Sequence, residues 1–349
     1  MRLGEHPLWR LTQMRLRELA REPGTLFWIF GFPLLLTIGL GLAFRGTSAS
    51  RLDVGLVEPA PDAWSATLSR AGFAVVRLPE PEAERRLATG ALALVVVPAG
   101  SGGAKAALRY RFDPTRPEAR LARLAADDAL QRAWGRVDAV PTRDEPSLAP
   151  GARYVDFLVP GLVGMNVMSG SMWAIGWAIV NLRVRKLLKR LLATPLRRGQ
   201  LLLSLLLSRL CVVPVEVASI LLFARLFFGV RVAGSLVTVA VVSLLGALSF
   251  GGLGILVASR ARNVETVTGL MNAVMLPMFV LSGVFFSTAH YPEALQPVIA
   301  WLPLSALNEA LRSVMIHGGG WGAVGAPCAL LAAWGAIGYA AGLRLFRWS

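Results

Sequence analysis

Charge is scarce in this chain. Of its 349 residues only 16% are Asp, Glu, Lys or Arg, against 55% hydrophobic, and the mean hydropathy is +0.57. An ordinary soluble domain carries about 25% charged residues, so the shortage argues against a purely soluble protein. Cysteine is nearly absent. Cys211 and Cys328 both lie in apolar runs and exclude a disulfide scaffold and a zinc ribbon. The three histidines, His6, His290 and His317, are scattered, with no H-E-x-x-H and no Cys/His cluster at metal-ligand spacing. No G-x-x-x-x-G-K-[ST] occurs, so this chain has no P-loop with which to cradle ATP phosphates. Lysine is rare as well: Lys105, Lys186 and Lys189 stand among 36 basic residues, a bias we read as genomic base composition. No internal repeat is visible.

What is present is apolar length and a lopsided positive charge. Residues 46–150 hold 14 Lys+Arg against 13 Asp+Glu, and the rest of the chain holds 22 against 8. Most of the formal +15 therefore lies beside apolar segments, which reads as membrane topology before nucleic acid. A hydrocarbon core about 30 Å thick needs roughly 20 apolar residues per helix. Six stretches qualify: Thr25–Phe44, Val155–Val180, Leu201–Phe228, Val232–Ala258, Val264–Phe286 and Trp321–Leu343. The predicted class is an α-helical polytopic membrane protein of six spans. The first stretch is followed by Ser48-Ala49-Ser50, as in a secretory signal, but its Arg-rich leader is long for that purpose and five more spans follow.

Arginine placement predicts orientation. Arg2, Arg10, Arg15, Arg17 and Arg21 precede the first span, and a dense cluster from Arg183 to Arg198 separates the second from the third. Arg260 and Arg262 lie between the fourth and fifth, and Arg344 and Arg347 at the end. With six spans all fall on one side, which the positive-inside rule assigns to the cytoplasm together with both termini. Residues 45–152 are then expected outside. That segment reads as an inserted extracytoplasmic α/β domain, with strands at Leu52–Val57, Phe73–Leu78, Leu92–Val97 and Ala107–Phe112. Helices are expected at Asp62–Arg70, Glu82–Thr89 and Pro117–Trp134, the last with Leu121, Leu124 and Ala125 on one face. Asp138–Gly151, rich in Pro and charge, reads as the linker back to the membrane domain at 153–349.

Two further stretches are not expected to span. Leu8–Ala20 places leucines on one face and arginines elsewhere, an interfacial amphipathic helix within residues 1–24. Ser287–Gly320 is apolar but broken by Pro292, Pro297 and Pro303 into pieces suited to re-entrant or interfacial helices. Gly251-Gly252-Leu253-Gly254, inside the fourth span, reads as close helix packing. Glu216 is the one acidic residue deep in a span; it faces a pathway, or packs against Arg209 or Asn272. Asn166 and Asn272 line the same pathway or bond across helices. Asp156 at a span mouth and Glu309 are gate candidates, with a local pair between Glu309 and Arg312 the simpler account.

The segment Arg183–Gln200 is the most informative. Leu187, Leu188, Leu191 and Leu192 form an apolar stripe at helical spacing among cations, Pro195 ends the helix, and Arg197-Arg198 re-anchor the chain. It is either a basic helix on anionic lipid or a docking helix whose ridge enters a groove of a cytoplasmic partner. The run Leu191–Leu202 (L-L-A-T-P-L-R-R-G-Q-L-L) resembles the coupling-helix signature of type-2 ABC exporter permeases. Leu276–Phe286, Tyr291-Pro292, Trp301–Leu304 and Glu309–Arg312 are similar to that family's fifth span and broken outer helices. Arg21-Glu22-Pro23 before a Phe-rich span, and Tyr154–Gly161, resemble its N-terminal entry and second-span start. The insert at 45–152 resembles the subgroup with a large extracytoplasmic domain. One position set departs from the pattern. Val184, Lys186 and Lys189 stand where the family's coupling helix carries Glu, Gly and Glu, so the charge is inverted.

The resemblance implies a non-catalytic permease subunit in a bacterial inner membrane that moves an amphipathic or lipid-like substrate outward. Its implied partners are cytoplasmic ABC ATPase subunits, a second permease copy or paralogue, and membrane lipids, with no nucleic acid. It binds no cofactor itself, since ATP and Mg belong to the ATPase. Coupling is implied through Arg185, Leu187, Leu188, Leu191, Leu192, Pro195 and Arg197, with Arg260 and Arg262 a second contact. The inverted charge implies a charge-matched partner or the less typical half of a heterodimer. Two other readings stay open: a secondary transporter, and a membrane sensor or assembly platform whose outer domain binds ligand.

Overall fold

The computed structural model describes residues 7–45, 52–99, 107–140, 153–192 and 198–346. The chain divides into two units, Gly46–Pro146 and the remainder. The larger unit begins with α1 (Pro7–Arg21), then α2 (Pro23–Leu26), a π-helical turn at Phe27–Gly31, and α3 (Phe32–Arg45). Pro33 explains the turn. It has no N–H to give the Ile29 carbonyl four residues back, and the Asn166 amide donates to that carbonyl at 3.4 Å. The expected first span is thus a helix interrupted by a π turn, and its apolar portion, Phe27–Gly41, is shorter than the other candidates.

The smaller unit is a four-stranded sheet of order β2-β1-β3-β4, built from β1 (Asp53–Val57), β2 (Ala74–Leu78), β3 (Leu94–Ala99) and β4 (Ala107–Arg111). The β1–β2 and β1–β3 pairs are parallel, and β4 runs antiparallel to β3. Parallel neighbours need crossovers, supplied by α4 (Asp62–Arg70) and α5 (Glu80–Ala88), while α6 (Pro117–Ala133) follows β4. Strand alternation sorts two cores. Val54, Leu56, Leu94 and Val96 meet Trp64, Leu68, Ala122, Ala126 and Leu130 on one face, and Val57, Val95 and Val97 meet Leu78 and Ala83 on the other. Helix α6 packs through its alanines, away from the Leu121–Leu124 face. Ala119, Ala122, Ala126 and Leu130 are buried, whereas Leu121 and Leu124 are 64% and 57% exposed. Alanines let the helix approach a face already filled by Trp64 and Trp134, whose rings meet edge to face at 5.6 Å.

The larger unit resumes with α7 (Tyr154–Val184), α8 (Leu187–Leu192), α9 (Arg198–Phe228), α10 (Leu236–Ala258), α11 (Val264–Leu281), α12 (Gln296–Trp301), α13 (Pro303–Met315) and α14 (Trp321–Leu345). Among the described residues five helices, α7, α9, α10, α11 and α14, are long and apolar enough to cross a membrane. Several boundaries differ from the expected spans, and glycines at positive φ set two of them. Gly229, at φ 65, turns the chain so that α10 begins at Leu236, and Gly283, at φ 68, ends α11 five residues before Phe286. Helices α7 and α10 form the centre: 78% and 67% of their apolar stretches are buried, against 28%, 22% and 17% for α9, α11 and α14. Small residues set the spacing. A Cβ on Gly252 would lie 2.7 Å from the Gly335 carbonyl, and one on Gly338 2.7 Å from the Gly252 backbone, so α10 and α14 touch along their main chains.

Candidate functional site

The corner after α7 is built around Arg183. Its guanidinium donates to the carbonyls of Ala258 (3.2 Å), Ser259 (3.0 Å) and Ala261. These are the last carbonyls of α10 and the start of the turn into α11, groups a helix leaves unsatisfied and a cation at a helix C-terminus stabilises. The ring of Phe346 lies 5.2 Å from the same guanidinium. On the far side of that turn the Asn263 side chain accepts from the Thr266 amide at 2.9 Å and caps α11. Arg183 therefore joins the α7–α8 corner to the 259–263 turn, bringing together the two segments that the sequence nominates for a partner.

Within this corner Arg185, Arg260 and Arg262 are exposed. Leu188 is 2% exposed and belongs to the unit's own core, with Leu187 packed against it. The ridge at these two positions thus faces inward, and the outward surface is cationic. Leu191 and Leu192 are helical, and Pro195 and Arg197 lie outside the described residues. Lys186, where the resembled pattern has glycine, sits at φ 56. That is the left-handed region glycine favours, and it is what reverses the chain between α7 and α8.

The opposite end of α7 holds the gate candidates. Arg153 grips Asp156 through two hydrogen bonds, 2.8 and 3.0 Å, and donates to the Phe228 carbonyl at the end of α9 at 3.0 Å. Hydrogen bonding to the Asp156 carboxylate holds the Arg153 guanidinium above its ordinary pKa. The expected Glu309–Arg312 pair does not form. Glu309 is exposed, while Arg312 turns inward, donates to the Gly283 carbonyl and lies 3.8 Å from the centre of the Phe157 ring. The Asn308 amide donates to the Ser282 carbonyl at 2.9 Å, and the Tyr154 hydroxyl to Phe285 at 2.9 Å. The chain after α11 is thereby held by α7 and α13.

Between the two ends, Glu216 is fully buried with its carboxylate 2.5 Å from the guanidinium of Arg209, itself 3% exposed. The contact lacks hydrogen-bond geometry, and neither carboxylate oxygen has a hydrogen-bond partner. Arg209 donates from Nε to Ser171 on α7 at 3.2 Å. Asn166 is buried on α7 against the π turn, whereas Asn272 is exposed on α11. Sequence reasoning named Arg183 and Arg312 as charges but missed their work. The available signal was an arginine within reach of a helix end whose last turn carries no base of its own, as in α10 and α11.

The several long apolar helices agree with comparison to known proteins. Residues 127–316, more than half of the chain, match the family model for ABC-2 type transporters. The chain belongs to the ABC-2 type transporter family. The probable multidrug ABC transporter permease YbhS of Escherichia coli strain K12 is 28% identical over 175 residues, 48% of this chain and 45% of that protein. The linearmycin resistance permease protein LnrN of Bacillus subtilis strain 168 is 25% identical over 181 residues, 52% of this chain and 46% of that protein. ABC transporter G family member 20 of Dictyostelium discoideum is 27% identical over 173 residues, 49% of this chain and 23% of that protein. The chain spans less than half the length of each of these relatives. Within the ABC-2 family it is a membrane protein similar to permease components, and Arg183, Arg260, Arg262 and Arg312 all fall inside the matched region.

Proposed function

We propose that this chain is the permease subunit of an ATP-driven exporter. Its cationic corner at residues 183–200 and 259–263 meets a cytoplasmic ATPase, both termini are cytoplasmic, and the α/β unit lies outside. The observation that carries this reading is the Arg183 staple, because it makes one rigid surface of two segments distant in sequence. A push from an ATPase on either segment then moves α7 and α10, the two most buried spans, together. Membership of the ABC-2 family supports the association with ATPase subunits, and the scarcity of polar groups in the spans supports an amphipathic or lipid-like cargo. No catalytic residue is assigned. A paired permease copy or paralogue is part of the reading, and the face of α11 that carries Asn272 is available to it.

Co-purification from the native host in mild detergent, with identification of bound proteins and an ATPase assay, tests the proposal. The expected result is a P-loop ATPase that is retained by the unaltered chain and lost, by about tenfold, from the double variant Arg260→Glu/Arg262→Glu. Both side chains are exposed, so the variant is expected to fold. A preparation free of ATPase overturns the assignment.

A further inference from the structure

A cleft lies between α1 and the α7–α8 corner. Its wide lobe has a volume of about 680 Å³ and is lined by Arg15, Arg17, Glu18, Arg21, Glu22 and Arg185. That is within the roughly 300–1,000 Å³ of small-molecule sites. A narrower lobe of about 130 Å³ continues from it between α1, the π turn, α7 and α9, with Ile29, Trp177, Leu205 and Val212 on its walls. Arg15, Glu18 and Asn181 line both lobes, so the two adjoin.

The charges in this cleft are unequally distributed. At the mouth stand four arginines and two glutamates, and Arg15 is paired with Glu18 at 2.7 Å. Arg17, Arg21 and Arg185 are exposed and have no ion pair among the described residues. Arg17 and Arg21 stand one helical turn apart and so share a face of α1. At the floor of the narrow lobe Arg209 is neutralised by Glu216. An acid entering the cleft is therefore held at the mouth, and only apolar matter has reason to go deeper. Guanidinium groups grip phosphate oxygens in pairs, and basic residues at a membrane surface attract anionic lipid by about 1 kcal/mol each.

We propose that this cleft binds the acidic phosphate headgroup of a membrane lipid. Arg17, Arg21 and Arg185 hold the phosphate, and the first carbons of one chain lie along Trp177 and Ile29. The site ties the lipid to α1 and to the corner proposed above to meet the ATPase, but its occupancy does not depend on that reading.

The test is native mass spectrometry of the full chain in detergent, titrated with phosphatidylglycerol or with phosphatidylcholine of the same acyl chains. Phosphatidylglycerol is expected to be retained at least tenfold better. Arg17→Gln/Arg21→Gln is expected to lower its retention about tenfold, and Arg225→Gln, on an exposed cation at the end of α9, is expected to leave it unchanged. Elution volume and melting temperature identify a misfolded variant, in which case each single substitution replaces the pair, with a smaller loss expected. Equal retention of the two lipids, or retention unmoved by the substitutions on α1, overturns the proposal. Displacement of phosphatidylglycerol by millimolar inorganic phosphate would identify a free anion as the ligand and overturn the lipid assignment. An ATPase recovered with a chain that retains no acidic lipid would sink this inference and leave the exporter reading standing.

Discussion

The two ends of α7 are held by the same device and present opposite surfaces. At one end Arg183 takes the final carbonyls of α10; at the other Arg312 takes the Gly283 carbonyl just past α11, and Arg153 takes the Phe228 carbonyl that ends α9. Each arginine comes from outside the helix it caps. Because 26 residues at 1.5 Å separate Phe157 from Arg183, the ends are about 40 Å apart. Around Arg183 the remaining cations, Arg185, Arg260 and Arg262, stand exposed. Around Arg312 the neighbours are Phe157, Tyr154 and Asn308, and the group is packed into the unit. The capping chemistry is structural at both ends. What distinguishes the two capping arginines is their surroundings: exposed Arg185, Arg260 and Arg262 stand beside Arg183, whereas packed side chains surround Arg312.

The buried pair midway along α9 offers the largest effect. Arg209→Ala leaves the Glu216 carboxylate alone in the core, a loss of about 3–5 kcal/mol, whereas replacing both by leucine is expected to be close to neutral. Thermal unfolding in detergent measures the contrast. If the double replacement keeps its melting temperature but abolishes transport, the pair belongs to the substrate pathway; if transport survives, it is packing.

Next come the two ends themselves. Arg183→Met and Arg312→Met are each expected to cost about 2–3 kcal/mol, since charge-assisted bonds to carbonyls are lost. Their functional consequences should diverge. The Arg183 variant is expected to lose ATPase-coupled activity, and the Arg312 variant to keep ATPase binding while transport falls. Identical phenotypes in the co-purification and transport assays would break the comparison.

Deleting Gly46–Pro146 with a short flexible linker is expected to leave ATPase association within about twofold, because the membrane unit has its own core. Loss of all output instead would favour the sensor reading. The smallest effect is expected from Lys186→Gly, which removes the strain of a left-handed lysine and adds about 1 kcal/mol of stability, read as a rise in melting temperature.

Much of the architecture was legible because it follows from local periodicity. The alternating runs around Val54 and Val95 marked strands of the α/β unit, and the long apolar runs ending near Phe228 and Ala258 marked helices, all within a few residues of their observed limits. Less legible were features that depend on what a residue meets. The sequence placed Leu121, Leu124 and Ala125 on one face of α6, yet it is the Ala119, Ala122 and Ala126 face that is buried, beside the Trp64 and Trp134 pair. Glu309 and Arg312 have the spacing of a helix pair, but the carbonyls beyond α11 offer Arg312 a buried partner that a surface carboxylate cannot match.

The sequence by itself determined that this chain has several apolar helices, a charge-balanced α/β insert and a basic segment after α7. Composition and spacing suffice for each, because a bilayer selects helix length and hydrophobicity with little regard to neighbours. Only the tertiary structure decided which arginines are spent on helix ends and which remain free. A guanidinium chooses among all acceptors brought within about 3 Å of it, and that choice is made by residues some 75 positions away, as for Arg183 and Ala258.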